Sequence, residues 1–176
     1  MKYNKIYPAF KHWIEKGNLY FYSDPHFSDV GVAGLRFDCG SDEHIEEFIH
    51  NYLDEGQVRR INKYVGKNDT LVILGDVGNK EWLKKLRGYK VLVLGNHDVG
   101  KSNYEGYADE VYEGAVMISE NIILSHEPLS CFFAVNIHGH IHRKLDTNIF
   151  GHILVSPENT DYTLDYVAIN TTCATN

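Results

Sequence analysis

The sequence predicts an α/β fold built on parallel strands. Residues 91–94, VLVL, form an apolar run that stops at Gly95, as expected for a strand buried on both faces of a sheet. Residues 71–74, LVIL, repeat the pattern and stop at Gly75. About fifteen residues with helical features separate the two runs, which is the length that a parallel crossover requires. A strand, a helix and a strand in this order are typical of an α/β sheet.

The chain length suits one domain, residues 1–176, with a substantial core. No apolar run approaches the roughly 20 residues needed to cross a bilayer. The N-terminal sequence MKYNKIYPAFKHW lacks the basic and then apolar layout of a signal peptide, so we expect a cytoplasmic protein with no membrane partner. The three cysteines are widely spaced and odd in number, which argues against a disulfide framework and a CxxC zinc site.

The net charge of −7 disfavours duplex nucleic acid as a partner, because neutralising phosphates requires a basic surface. The chain also holds ten histidines, many of which stand beside glycine, asparagine or aspartate at predicted strand ends. This placement favours a role as ligands over a role in packing.

The first buried strand is predicted over residues 19–23, LYFYS, and Asp24, Pro25 and His26 follow it directly. The proline favours an extended conformation at Asp24, and residues two apart on an extended chain project to the same side. Asp24 and His26 can therefore face one ion. The alternative is an Asx-type turn with an exposed histidine.

Residues 27–40 lack a helical period and predict a loop. Arg36 in this loop is either a clamp for a substrate phosphate or a solvated side chain, and the same two interpretations apply to Lys101 in a later loop. Ser41 predicts the start of an amphipathic helix that Gly56 interrupts. The apolar face of this helix consists of Ile45, Phe48, Ile49, Tyr52 and Leu53.

The segment between the two apolar runs gives the most informative geometry. Asn79 predicts the cap of a short helix that packs Trp82 inward. If the flanking strands are neighbours, about 4.8 Å apart, Asp76 and Asn96 leave the sheet side by side at its carboxyl edge. The patterns LGD and LGN then place the side-chain oxygens of Asp76 and Asn96 within reach of the same ions.

Later predicted strands end on histidines. Residues 111–118 and 121–125 predict an antiparallel pair, and His126 follows the second strand. Residues 134–137 predict a further strand. Three histidines within five residues follow it: His138, His140 and His142.

Five short blocks stand at the ends of five successive predicted strands: DPH, GD, GNHD, SHEP and GHIH. Complete and in this order, they resemble the calcineurin-like metallophosphoesterase superfamily, whose blocks are DxH, GD, GNH(D/E), H and GHxH. The resemblance covers residues 19–155. The stretch NIHGHIH is also similar to a branch of small bacterial and phage phosphoesterases.

The resemblance implies a four-layer αββα sandwich of two mixed β-sheets flanked by helices, with two divalent transition-metal ions at the carboxyl ends of the strands. By match to the blocks, the first ion is held by Asp24, His26, Asp76 and His142. The second ion is held by Asp76, Asn96, His126 and His140. Imidazole and carboxylate ligands suit Mn, Fe, Co, Ni or Zn, and we favour manganese.

The resemblance also implies that His97 is the catalytic histidine, which contacts phosphate and protonates the leaving oxygen. Asp98 is expected to orient the His97 imidazole, and His138 is left as a structural residue. The implied reaction hydrolyses a small phosphorylated substrate, a phosphomonoester or phosphodiester, by attack of a hydroxide shared by the two ions. The alternatives are a nuclease or cyclic-nucleotide phosphodiesterase and, in another class, a non-catalytic protein-binding scaffold of the same fold.

Overall fold

The computed structural model describes residues 17–37, 49–143 and 151–160. The described strands are β1 (Leu19–Tyr22), β2 (Thr70–Leu74), β3 (Tyr89–Val93), β4 (Glu110–Tyr112), β5 (Val116–Ser119), β6 (Ile122–Leu124), β7 (Val135–His138) and β8 (His152–Leu154). The described α-helices are α1 (Val30–Phe37) and α2 (Glu55–Tyr64). A π-helical segment spans Ile49–Asp54, and 3₁₀-helices span Lys80–Lys85 and Lys101–Tyr104.

The first sheet has the strand order β1-β2-β3-β4, and each neighbouring pair is parallel. Tyr22 pairs with Ile73, and Leu74 pairs with Val93, so β1, β2 and β3 end at one edge of the sheet. All residues of β1 and β2 are buried, as their uninterrupted apolar runs predict.

The predicted crossover from β2 to β3 is confirmed. Its helix is the 3₁₀-helix Lys80–Lys85, and the Asn79 side chain caps it by accepting a hydrogen bond from the Glu81 N–H at 3.1 Å. Trp82 and Leu83 are buried against the sheet.

The second sheet has the strand order β5-β6-β7-β8, in which β5 and β6 are antiparallel and the other pairs are parallel. This sheet is mixed, but the first sheet is parallel throughout its described strands, which corrects the prediction of two mixed sheets. The strand predicted over residues 111–118 is two strands. Its first part ends at Tyr112 in the first sheet, and Val116 begins a strand of the second sheet.

The two sheets pack against each other through one apolar core. Its buried members are Leu19, Phe21, Val72, Leu74, Val91 and Val93 of the first sheet and Val116, Ile118, Leu124, Ile137 and Val155 of the second sheet or its edge. The opposite face of the first sheet packs on α2 and the Lys80–Lys85 helix through a second core, which includes Tyr22, Ile73, Val58, Ile61 and Leu83. The fold is therefore α/β, with helices, the first sheet and the second sheet in successive layers.

Two further local predictions are wrong. Residues 27–40 are not all loop, because α1 begins where the Asp29 side chain accepts a hydrogen bond from the Val32 N–H at 3.0 Å. Gly56 does not interrupt its helix, since the π-helical segment continues directly into α2. The predicted helix start at Ser41 lies outside the described residues.

None of the helices within the described ranges is long and apolar enough to span a bilayer.

Candidate metal centre

The candidate site lies where strands of both sheets end. Asp24 and Asp76 follow β1 and β2, and the Asp24 N–H donates to the Gly75 carbonyl at 3.1 Å, which ties the two loops together. From the second sheet, the His140 N–H donates to both carboxylate oxygens of Asp24, at 3.1 and 2.9 Å. The Asp24 carboxylate, through the His140 N–H, therefore joins the end of a strand in the first sheet to the end of a strand in the second sheet.

Four predicted ligands meet in a first group. Asp24, His26, Asp76 and His142 each offer one ligand atom, and these atoms all lie within 4.8 Å of one another. His26 Nε2 lies 3.3 Å from His142 Nε2 and 3.6 Å from Asp76 Oδ2. His142 Nε2 lies 3.6 Å from Asp24 Oδ1. Two carboxylates and two imidazoles at these distances could hold a metal ion.

A second group forms beside the first and shares Asp76 with it. His126 Nε2 lies 3.4 Å from Asp76 Oδ2 and 2.8 Å from Asn96 Oδ1. His140 Nδ1 lies 3.1 Å from both His126 Nε2 and Asn96 Oδ1. The Asp76 carboxylate thus lies between His26 of the first group and His126 of the second.

The hydrogen bond of His126 fixes which of its ring nitrogens can act as a ligand. His126 Nδ1 lies 2.9 Å from the Leu74 carbonyl, which can only accept, so Nδ1 carries the hydrogen. The lone pair of Nε2 then points toward Asp76 and Asn96. A backbone partner on the opposite ring nitrogen is common for histidines that bind metals.

Burial determines the electrostatics of the first group. Asp24 is fully buried, and burial raises the pKa of its carboxyl, against hydrogen bonds and nearby histidines that lower it. Burial, together with the charge of Arg36, lowers the pKa of His26 to about 4. His26 therefore stays neutral near pH 7, as a ligand must. A cation in the group would compensate the cost of keeping Asp24 and Asp76 ionised away from water.

Glu158 is a site residue that the sequence analysis missed. Its Oε1 lies 3.1 Å from His142 Nδ1, so that Nδ1 donates to the carboxylate and Nε2 faces Asp24. This hydrogen bond is the main cause of the raised pKa of His142. Glu158 stands four residues beyond β8, which is parallel to β7. Because parallel neighbours end at the same edge of a sheet, an acidic residue soon after β8 was the sequence signal that could have identified Glu158.

Arg36 is neither a solvated side chain nor a free phosphate clamp. Its side chain is 7% exposed, and its Nε donates to Glu158 Oε1 at 2.6 Å. Its terminal nitrogen donates to the Asp24 carbonyl at 2.9 Å. Helix α1 thus supplies an arginine that holds Glu158 beside His142. Lys101, which was predicted to lie in a loop, begins the 3₁₀-helix Lys101–Tyr104 and is exposed.

The structure corrects the role expected of Asp98. Its Oδ2 accepts from the backbone N–H groups of Asp76 and Gly95, at 2.9 and 2.8 Å. Its Oδ1 accepts from the Val77 N–H at 3.0 Å and the Tyr104 hydroxyl at 2.6 Å. Both oxygens are therefore occupied in joining the β2 and β3 loops, and Asp98 does not orient the His97 ring.

His97 stands at the exposed side of the site. Its backbone N–H donates to Asp76 Oδ1 at 3.0 Å, and its ring centroid lies 5.9 Å from that of His26. The His97 ring is exposed, whereas His26 is buried. His138 is buried beneath the site, where its ring packs edge-on against His152 at 5.3 Å.

Several site residues have left-handed backbone conformations that side chains rarely adopt. The φ angles are 49° at Asp24, 44° at His26, 52° at Asp76 and 68° at His140. The extended conformation predicted for Asp24 is therefore wrong, although Asp24 and His26 still converge. Such strained positions persist only where their surroundings hold them, and they cluster at functional sites.

Glycines in three of the blocks allow the close approach of these loops. A Cβ atom at Gly95 would lie 2.2 Å from Asp76 Oδ1, and one at Gly139 would lie 2.3 Å from Asp24 Oδ2. At Gly75, a Cβ would lie 2.5 Å from His126 Nδ1. Any side chain at these positions would displace a candidate ligand.

Comparisons with known proteins bear on the fold. No protein family model matches the chain, and no curated protein matches it. The solved structure of a protein of unknown function, AQ665 from Aquifex aeolicus, is similar, with a TM-score of 0.64 and 24% sequence identity over 85% of this chain and 95% of that chain. This likeness supports the α/β fold and carries no function.

Proposed function

We propose that this protein is a dimetal phosphoesterase of the calcineurin-like metallophosphoesterase superfamily, which hydrolyses a small phosphomonoester or phosphodiester by direct attack of water. One observation carries the proposal. Asp76 Oδ2 lies 3.6 Å from His26 Nε2 on one side and 3.4 Å from His126 Nε2 on the other. A carboxylate shared by two groups of ligands can hold two ions side by side, as metal-assisted displacement at a phosphoryl group uses them.

The donor atoms fit two ions of the transition series. Asp24, His26 and His142 would hold the first ion with Asp76. Asn96, His126 and His140 would hold the second with Asp76. Mixed imidazole and oxygen donors suit manganese, iron, cobalt, nickel or zinc, and manganese is our choice. When bound, two such ions supply Lewis acidity to a phosphoryl group and lower the pKa of water.

The protein's own residues then orient the substrate and move a proton. The His97 ring lies exposed next to His26, where it can reach the leaving oxygen of a bound ester and donate a proton to it. Asp98 holds the loop that carries His97 through its bonds to the backbone of Gly95 and Asp76. Two divalent ions carry +4 against −2 from Asp24 and Asp76, which leaves +2 to attract an anion into an acidic protein.

The proposal extends to the architecture and the location of the protein. We take the described layers of helices, first sheet and second sheet as three of the four layers of an αββα sandwich, with the fourth on the outer face of the second sheet. We also place the protein in the cytoplasm.

The test measures metal content and turnover together. After loading with Mn²⁺, wild type should retain two ions per chain by elemental analysis and hydrolyse p-nitrophenyl phosphoesters. Asp76→Ala should lose both ions and activity, because both groups depend on this carboxylate. Asp109→Ala, which removes a partly exposed carboxylate outside the site, should behave as wild type. Loaded wild type without turnover, or Asp76→Ala with two ions, would overturn the proposal.

A further inference from the structure

A groove of about 240 Å³ adjoins the second group of candidate ligands. Asn96 and His126 line it together with residues of the chain segments that follow β4 and β6. A molecule held at Asn96 and His126 would therefore have room for a substituent in the groove.

The lining of the groove combines apolar and acidic groups. Leu94, Ala115 and Leu129 contribute apolar surface, and Glu113 and Glu127 contribute two exposed carboxylates. Within the described ranges, neither carboxylate forms an ion pair with a lysine or arginine. Two carboxylates therefore stand beside a site that is proposed to bind an anion.

The position of one carboxylate is fixed by the backbone. Glu113 Oε1 accepts a hydrogen bond from the Lys101 N–H at 3.3 Å. Glu113 belongs to the segment that crosses from the first sheet to the second, so the crossing that the sequence did not predict is what brings this carboxylate to the groove.

We propose that this groove binds the alcohol portion of a phosphoester and selects a small cationic alcohol, such as a quaternary ammonium alcohol, over a nucleoside or a polyphosphate. This inference rests on the function proposed above. The carboxylates of Glu113 and Glu127 attract a cation and repel further phosphates, while Leu94 and Leu129 contact its alkyl groups. The volume of about 240 Å³ is below the roughly 300–1,000 Å³ of pockets for drug-sized ligands, which favours a compact substituent.

The activity test compares three esters with the same p-nitrophenolate leaving group, on the Mn²⁺-loaded protein. These are p-nitrophenyl phosphorylcholine, bis(p-nitrophenyl) phosphate and the p-nitrophenyl ester of thymidine monophosphate. Wild type should prefer the choline ester. Glu113→Gln combined with Glu127→Gln should lower kcat/KM for that ester about fivefold, as expected for two exposed ion pairs, and leave the aromatic ester within twofold. Glu105→Gln combined with Glu120→Gln makes the same charge change outside the groove and should leave the preference unchanged.

A binding measurement separates this inference from the proposed function. Calorimetry should show that phosphocholine binds the loaded protein more tightly than inorganic phosphate, and that the variant at Glu113 and Glu127 loses the difference. Equal selectivity of this variant and the control variant in both assays would overturn the groove assignment alone. Selective binding of phosphocholine without turnover of any ester would support the groove and overturn the phosphoesterase proposal. If the loaded protein shows no turnover of any ester and no selective binding of phosphocholine, both proposals are overturned.

Discussion

Replacing Glu158 by glutamine keeps the shape of the side chain but removes the charge that Arg36 and His142 face. The Glu158 carboxylate lies 2.6 Å from Arg36 Nε and 3.1 Å from His142 Nδ1. In Glu158→Gln, the Arg36 guanidinium, only 7% exposed, would lose its counter-charge. Removing one partner of such a pair costs more than removing both, because the remaining charge stays buried.

The size of the effect follows from the pKa of Glu158. Burial alone would raise this pKa, but the hydrogen bond with His142 and the charge of Arg36 outweigh it and lower the pKa from 4.5 to about 2. At about 1.4 kcal/mol per pKa unit, this corresponds to roughly 3.5 kcal/mol, which partial exposure to solvent reduces to about 2 kcal/mol. Since the folded pKa is the lower one, the stabilisation is present above pH 4.5 and is lost as the pH falls toward 2.

Urea denaturation of the metal-free protein at pH 7 measures this loss. Glu158→Gln should lower the free energy of unfolding by about 2 kcal/mol, and adding Arg36→Met should recover part of it. The control is Glu55→Gln, whose exposed carboxylate lies 4.0 Å from Lys85 Nζ, and it should not change stability. Manganese affinity of Glu158→Gln should also fall about tenfold or more, because His142 loses the partner that orients it. A variant with wild-type stability and wild-type manganese affinity would refute this reasoning.

Three more outcomes are expected. His97→Ala should retain both ions by elemental analysis while kcat for a poor leaving group falls about a hundredfold or more; an unchanged kcat would exclude His97 as the acid. Gly95→Ala should unfold more readily in urea and lose metal, since its Cβ would lie 2.2 Å from Asp76 Oδ1; Gly114→Ala, with nothing within 4 Å, is the control, and equal stability of the two variants would contradict the packing argument. Bound manganese, measured after dialysis, should decrease as the pH drops below about 6, because His142, whose pKa is raised chiefly by its hydrogen bond to Glu158, takes up a proton there; full retention at pH 4 would argue against His142 as a ligand.

Local patterns were sufficient to predict where β1, β2 and β3 end. Apolar runs that stop at Gly75 and Gly95 mark buried strands, and the crossover between them makes those strands parallel neighbours. Parallel neighbours end at the same edge of a sheet, so the convergence of Asp76 and Asn96 follows from the order of elements alone. The same reasoning brought Asp24 and His26 to that edge.

The local patterns failed where the chain passes from one sheet to the other and where a helix lacks a regular hydrophobic repeat. The apolar stretch from Val111 to Ile118 reads as one strand, yet its two halves belong to different sheets. Helix α1 is short, and its glycines interrupt the hydrophobic repeat, so the Asp29 cap was the sequence feature that could have indicated the helix. In the stretch from Val111 to Ile118, the division of the chain between the two sheets, and not local preference, decides the conformation.

The sequence by itself determined which residue types gather at the carboxyl edge of the sheets, because each block directly follows a predicted strand along the chain. Tertiary structure alone decided what supports them. Arg36 and Glu158 are 122 residues apart, and their pairing behind His142 depends on how α1 and the segment after β8 fold over the site. Asp98 bonds mainly to backbone N–H groups, which every residue type carries, so no sequence pattern reveals its partners. Side chains that act through such long-range or backbone contacts leave no local signal.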